Sequence, residues 1–371
     1  MSLRIGVNAL YLLPGGVGGT EIYLRSLLSA LAAIDPLNDY FVFTNRETGS
    51  DLIPTAPNFH ARPQSLRATS RPARILWEQA ALPPQAAQVR LDVLLNPGFT
   101  APVYCPCPQV TVFHDLQHWR HPEHFRWFDL PFWRVLLFAS AQISTALIAV
   151  SEATRRDVLA HYRLPEKKVT TVLSGVDEAF FEIAERRRPE RFLLSVSTLH
   201  PHKNLDGLLR AFANFRCVHP EYRLVVPGLH GFYTEALHEL RDRLGLRDCV
   251  EFPGWIPRQD LYDLFARADA FIYPSRFEGF GLPVVEALAA GVPTACSNIE
   301  PISSNTGGAV LRFDPGDTDA MCAAMLLLVS DAGLRAKLTV DGARKAREFS
   351  WISTARSTLD VLNNTAFPAN S

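Results

Sequence analysis

The chain has 371 residues, 47% hydrophobic and 20% charged, enough for two ordinary domains with cores of their own. A formal net charge of −1 gives no electrostatic reason to expect nucleic acid as a partner. Six cysteines without a C-x-x-C pair form neither a disulfide framework nor a zinc pattern, which suits a reducing compartment.

The N-terminus opens directly into a strand-like run, Leu3–Ala9, with no signal-peptide layout. The most apolar stretch, Phe128–Val150, is interrupted by Asp129, Arg134 and Gln142 and should not span a bilayer. The expectation is a cytoplasmic protein, at most peripheral at the inner face of the membrane. After the first strand comes Gly15-Gly16-Val17-Gly18-Gly19, then a helix with Leu24, Leu27, Leu28 and Leu31 on one face. Strand, glycine loop and helix together either cradle a phosphate or form a flexible turn. A dinucleotide fold fits poorly, because Glu21 stands where G-x-G-x-x-G needs its third glycine. The next strand, Phe41–Thr44, also runs into Asn45 and Arg46 and not into a ribose-binding acid.

Arg46–Leu82 is rich in Pro, Arg, Ser and Thr and reads as a surface loop suited to acceptor contacts. Apolar runs at Val93–Leu95, Val110–Phe113, Ala146–Val150 and Val169–Leu173 then alternate with helical or loop segments, the rhythm of a helix-covered parallel sheet. A charged linker, Ala184–Glu190, breaks that rhythm. It restarts with strands predicted at Phe192–Ser197, Arg223–Val226, Val250–Phe252, Ala270–Tyr273 and Thr294–Ser297. Two doubly wound units in tandem, facing across a cleft, account for the pattern. Ligands of such sheets bind beyond the carboxyl ends of the strands.

The densest chemistry lies in Pro274–Pro293, PSRFEGFGLPVVEALAAGVP. Gly279, Gly281 and Pro283 make a tight strand-to-helix turn, bracketed by Glu278 and Glu286. Free N–H groups at a helix start bind phosphate, and carboxylates suit sugar hydroxyls, so a nucleotide sugar is indicated. His114-Asp115 ends a predicted strand, where His114 could bond a sugar hydroxyl. His118, His121 and His124 follow, but Pro122 breaks the helix that would align them on a metal, and a hydrogen-bonded surface cluster is favoured. In Thr198–Leu205, Asn204 is a good N-cap. Lys203 and His202 beside the positive end of that helix are unfavourable unless an anion joins them. Phe125–Trp133, with five aromatics and Arg126, either meets a lipid-linked acceptor or membrane surface or packs as a helix on its own domain.

Taken together these segments resemble the retaining glycosyltransferases of family 4, of GT-B fold, over nearly the whole chain. The resemblance rests on Gly15–Gly19, His114-Asp115, Val150-Ser151-Glu152, Ser174-Gly175-Val176-Asp177, Pro201-His202-Lys203-Asn204 and, most specifically, Glu278-Gly-Phe-Gly-Leu-Pro-Val-Val-Glu286. It implies an α/β GT-B architecture of two Rossmann-like doubly wound domains. The expected extents are 1–185 on the acceptor side and 186–349 for nucleotide-sugar binding, with a helix in 350–371 packing back on the first domain.

It further implies that Glu286 holds the ribose and that the backbone at Phe280, Gly281 and Leu282 contacts diphosphate and sugar. Glu278 and His114 bind the donor sugar, Lys203 neutralises the leaving diphosphate, and Gly16 lets the first loop approach it. The nucleobase lies near Gly254-Trp255-Ile256. The chain departs from many relatives in carrying Thr198 and His202 where they carry arginine, so His202 is the weaker phosphate ligand.

The implied reaction moves a hexose to a glycan or lipid-linked acceptor with retained configuration and no metal, and the diphosphate takes the acceptor proton. The His-Asp-Leu at 114–116 followed by His121-Pro122-Glu123 resembles the mannosyltransferase-like branch acting on surface polysaccharides. GDP-mannose is therefore the leading donor and a UDP-hexose the alternative. An epimerase, a sugar phosphorylase and a non-catalytic nucleotide-sugar binder are the remaining readings.

Overall fold

The computed structural model describes residues 2–49, 51–124 and 127–367. The chain divides into two compact units, one built from residues 1–175 and 351–371, the other from 176–350.

The first unit holds seven strands: β1 (Arg4–Asn8), β2 (Asp39–Thr44), β3 (Phe59–Pro63), β4 (Val93–Asn96), β5 (Gln109–Phe113), β6 (Ala146–Ala149) and β7 (Val169–Thr171). They lie in the order β3-β2-β1-β4-β5-β6-β7 and every pair is parallel. β4, β5 and most of β1 are buried on both faces, which is why Val93–Leu95 reads as an unbroken apolar run, while the polar Gln109 and Thr111 of β5 are buried as well. The order reverses between β1 and β4, so the loops leaving these two strands diverge and open a crevice at their carboxyl ends.

The second unit repeats the plan with β8 (Phe192–Leu194), β9 (Arg223–Pro227), β10 (Val250–Gly254), β11 (Ala270–Tyr273), β12 (Thr294–Ser297) and β13 (Leu311–Phe313). Their order, β10-β9-β8-β11-β12-β13, is the doubly wound order of a dinucleotide-type sheet, again all parallel. Here the reversal falls between β8 and β11, which pair through Ala270↔Leu193 and Phe271↔Leu194.

Several expectations need correction. The crossing between units lies at Gly175–Val176, upstream of the expected boundary at 185. Helix Glu178–Glu185 buries Phe180 and Ile183 and packs on helices Arg258–Arg267 and Leu282–Ala289, so it belongs to the second unit. The AERRRPE segment is no free linker either. Arg188 and Glu190 donate backbone N–H groups to Ala266 and Arg267, and the Arg187 guanidinium bonds the carbonyls of Gly291 and Ala268. Arg46–Leu82 is not an open loop: it contains β3 and the helix Arg71–Ala80. The last helix, Trp351–Ala366, packs on helix Gly19–Ile34 of the first unit, with Trp351 edge-on to Tyr23 at 5.7 Å.

Phe125 and Arg126 lie outside the described residues. The helix that follows, Leu130–Ile143, buries Leu136, Leu137 and Ala141 against its own domain. Trp127, Phe128, Phe132 and Phe138 remain exposed around it. No helix among the described residues is long and apolar enough to cross a membrane.

Candidate active site

The switch point of the second unit places two motif loops side by side, since β8 leads to Pro201–Asn204 and β11 leads to Pro274–Gly281. The first loop is a short 3-10 turn, Pro201–Lys203, ending at Asn204 with φ 54°. Asn204 stands at the start of helix Leu205–Arg216 but does not cap it with its side chain. Its amide nitrogen donates to Pro274 O at 3.0 Å and Pro315 O at 2.7 Å, so the residue expected as a cap is a strut between loops. The His202 carbonyl takes two further bonds from the second loop, from Arg276 N at 2.7 Å and Ser275 Oγ at 3.2 Å. The two loops therefore move as one piece.

Their side chains converge accordingly. Lys203 Nζ lies 2.6 Å from Glu278 Oε1, and the Tyr273 hydroxyl donates to the same oxygen at 2.8 Å. Lys203 and Glu278 are both largely withdrawn from solvent, with side-chain exposures of 15% and 9%. Glu278 Oε2 meets no donor among the described residues and can accept from a hydroxyl. Just beyond, Gly281 adopts φ 88°, a conformation open to glycine, and starts helix Leu282–Ala289 with Pro283 in its first turn. A Cβ at Gly281 would also stand 3.0 Å from Ile302 Cγ1. No side chain caps this helix, and the N–H groups of Phe280, Gly281 and Leu282 meet no acceptor among the described residues. Such a helix start is an anion site. Phe280 itself is buried against Phe349, and its carbonyl accepts from Asn305 Nδ2 at 2.9 Å, so only its backbone N–H can face a ligand.

Glu286, on the same helix, is buried and paired with Arg258, Nη2 to Oε1 at 2.9 Å. Burial raises its pKa, and the neighbouring guanidinium opposes that rise. Arg258 lies over the Phe180 ring, donates to the Tyr262 hydroxyl at 3.2 Å, and has one sealed nitrogen, Nη1, without a partner. Trp255, at the mouth of helix Arg258–Arg267, is 58% exposed and presents an indole face for stacking; Ile256 beside it is half-buried.

Other expected residues are placed differently. His202 Nδ1 shares a hydrogen bond with His200 Nδ1 at 2.7 Å, so that nitrogen faces another ring. Gly16 donates to Leu13 O at 2.8 Å, and a Cβ there would stand 3.0 Å from Leu13 Cβ, which gives the glycine a local steric reason. Glu21 closes the same loop by accepting from Gly15 N at 2.8 Å. In the first unit, His114 Nε2 must donate to Pro97 O at 2.8 Å, which leaves Nδ1 as an acceptor. Burial lowers its pKa to about 4, so the ring is neutral at pH 7. His118 is buried on the Tyr162 hydroxyl at 3.0 Å, and His121 turns to Glu123 at 2.9 Å. Among the described residues no group of His, Cys, Asp or Glu is gathered to hold a metal.

Tyr273 and Arg258 escaped the sequence reading. Arg258 carried the signal used for Lys203, a cation in the first turn of a helix, where the dipole disfavours it.

Two family models divide the chain: Glycosyltransferase Family 4 matches residues 17–180 and Glycosyl transferases group 1 matches residues 176–345. The O-antigen chain mannosyltransferase B of Escherichia coli is 30% identical over 263 residues, 68% of this chain and 69% of that protein. The chain is a family 4 glycosyltransferase. This glycosyltransferase is also 27% identical over 272 residues to the E. coli serotype-specific mannosyltransferase WbdA, of which it spans only 33%. Its fold matches the crystal structure of Anabaena HepE in complex with UDP and glucose, with TM-score 0.76 at 19% identity, covering 98% of this chain and 100% of that one. The two units of parallel sheet are thus the two Rossmann-like domains of a GT-B enzyme.

Proposed function

We propose that this glycosyltransferase moves mannose from GDP-mannose to a hydroxyl of a glycan or lipid-linked acceptor in cell-surface polysaccharide synthesis, retaining anomeric configuration. The observation that carries the site is the 2.6 Å contact of Lys203 with Glu278 beside the uncapped start of helix Leu282–Ala289. Positive charge and open N–H groups are there assembled where a diphosphate gains charge on leaving. Mannose is supported by the mannosyltransferase relatives. A UDP-hexose is the second reading, supported by the UDP and glucose of the HepE complex. The exposed Trp127, Phe128 and Phe132 would suit an acceptor with a lipid tail.

In this reading the acceptor oxygen bonds to the anomeric carbon as the bond from that carbon to the diphosphate oxygen breaks. The acceptor proton passes to that same diphosphate oxygen, and no metal takes part. Lys203 and the N–H groups of Phe280, Gly281 and Leu282 hold the diphosphate, Glu278 Oε2 accepts from a sugar hydroxyl, and Glu286 holds the ribose with its carboxylate oriented by Arg258. His202 is a secondary phosphate contact, and Trp255 and Ile256 flank the base. His114 and Gly16 keep the donor roles proposed from sequence.

A ligand that binds only the folded chain raises its melting temperature, by the equivalent of about 2.7 kcal/mol at a hundredfold excess over Kd. GDP-mannose should give the largest rise in a screen against UDP-glucose and NAD. A larger rise with UDP-glucose would install the second reading, and a rise with NAD alone would sink both.

A further inference from the structure

The first unit has a pocket at its own switch point, where the loops leaving β1 and β4 diverge. It measures about 230 Å³ and is lined by Tyr11, Val17, Arg71, Arg74, Phe99 and Trp133 among others, with no acidic side chain in the lining. That is below the roughly 300–1,000 Å³ of pockets for drug-sized ligands, and suits one sugar-sized unit. The site is built closely. Gly98 is required because a Cβ there would stand 2.4 Å from Tyr11 Cδ1, and Arg71 lies over the Trp133 ring at 4.9 Å.

Arg74 decides the chemistry. It is only 8% exposed, yet among the described residues its guanidinium makes no hydrogen bond and no ion pair. None of its nitrogens is sealed from solvent without a partner, as Arg258 Nη1 is, so the charge opens into the pocket. Glu78, the acid that acts on it, is itself buried and spent on Asn8, Thr100 and Gln79. Burial disfavours the charged form of Arg74, and the Arg71 charge adds to this. A buried, unpaired guanidinium is costly unless an anion reaches it. Two arginines that make no side-chain hydrogen bond or ion pair among the described residues, beside three aromatic rings, match a ring with an anionic group attached.

We propose that this pocket is the acceptor subsite of the glycosyltransferase and that the acceptor carries an anionic group, a phosphate or a carboxylate, next to its sugar ring. Arg74 and Arg71 take the anion and Trp133, Phe99 and Tyr11 face the ring. The assignment rests on the glycosyltransferase reading for the word acceptor, but the anion site stands on its own observations.

Isothermal titration separates the two. The full-length chain is titrated with a hexose 1-phosphate, a hexuronate and the neutral hexose. One or both anionic sugars should bind at least about tenfold tighter than the neutral one, and whichever binds identifies phosphate or carboxylate as the group read. Arg71→Gln, at an exposed position, should abolish that difference. Arg74→Met should abolish it too, and because it also takes the balancing charge from the buried Glu78 carboxylate, it is read in the Arg74→Met/Glu78→Gln double variant, whose melting temperature reports that the fold is kept. Equal binding of charged and neutral sugars, no binding to the wild type at millimolar concentration, or full anion affinity in Arg71→Gln overturns the proposal. Lys203→Ala tells apart a failure of the donor site. Anion binding retained there supports a separate pocket, and anion binding lost only there returns the ion to the donor site and overturns it.

Discussion

At the switch point of the second unit the strong charges have partners. Lys203 lies on Glu278, and Arg258 on Glu286. At that of the first unit Arg74 has none, and His114, whose ring meets Phe99 of the lining at 5.1 Å, is kept neutral by burial. Both crevices arise from the same strand order, so topology explains where they are but not this difference. A cation held against a carboxylate on a neighbouring loop is oriented before any ligand arrives, which is what a group acting on developing charge requires. A cation held only by its helix contributes a site whose charge awaits the ligand. In the proposed reading the second unit carries the chemistry and the first the recognition.

The largest effect should come from Lys203. Lys203→Ala removes the ammonium proposed to face the leaving group, and kcat should fall by about 10²–10³-fold, the usual cost of one such donor. Steady-state turnover measures it. A rate within twofold of wild type would move the chemistry elsewhere and erase the contrast between the units. Next comes Arg258. Arg258→Ala leaves Glu286 buried and alone, and should cost about 3 kcal/mol in urea unfolding. Adding Glu286→Gln should recover much of that loss, because the stranded charge is then gone. If the single variant unfolds like wild type, the pair is not what stabilises the helix junction.

Much of this was legible in the sequence. β11 and β12 lie where they were predicted; Ala270–Tyr273 shows the apolar run of a strand covered on both faces, whereas Thr294–Ser297 buries two hydroxyls. Glu278 and Lys203 were found because glycine, proline and a misplaced cation leave local traces. Their contact was not legible, since it depends on β8 and β11 being neighbours, and strand order is a long-range property. β3 and β13 were missed for the opposite reason. Phe59–Pro63 is half exposed at a sheet edge and ends in Pro, and Leu311–Phe313 is three residues long, so neither shows a strand pattern. Arg74 left no trace at all: arginine is ordinary in a helix, and only the lack of a hydrogen bond or ion pair to its buried guanidinium in three dimensions gives it meaning.

The smallest effect is invisible at neutral pH and concerns the first unit alone. His114 and His118 have their pKa lowered from 6.5 to about 4, in both cases chiefly by burial. In the unfolded chain both take up a proton near pH 6.5, while in the fold they do so only near pH 4. The unfolded state therefore binds more protons between these limits, and stability falls as the pH drops through that window. The contribution is present in full above pH 6.5 and is lost by about pH 4. Each histidine can add a slope of at most about 1.4 kcal/mol per pH unit. His118→Gln keeps a partner for the Tyr162 hydroxyl but cannot titrate, so it should remove about half of the slope in a melting series from pH 7.5 to 4. An unchanged slope would remove His118 as a source of the acid sensitivity.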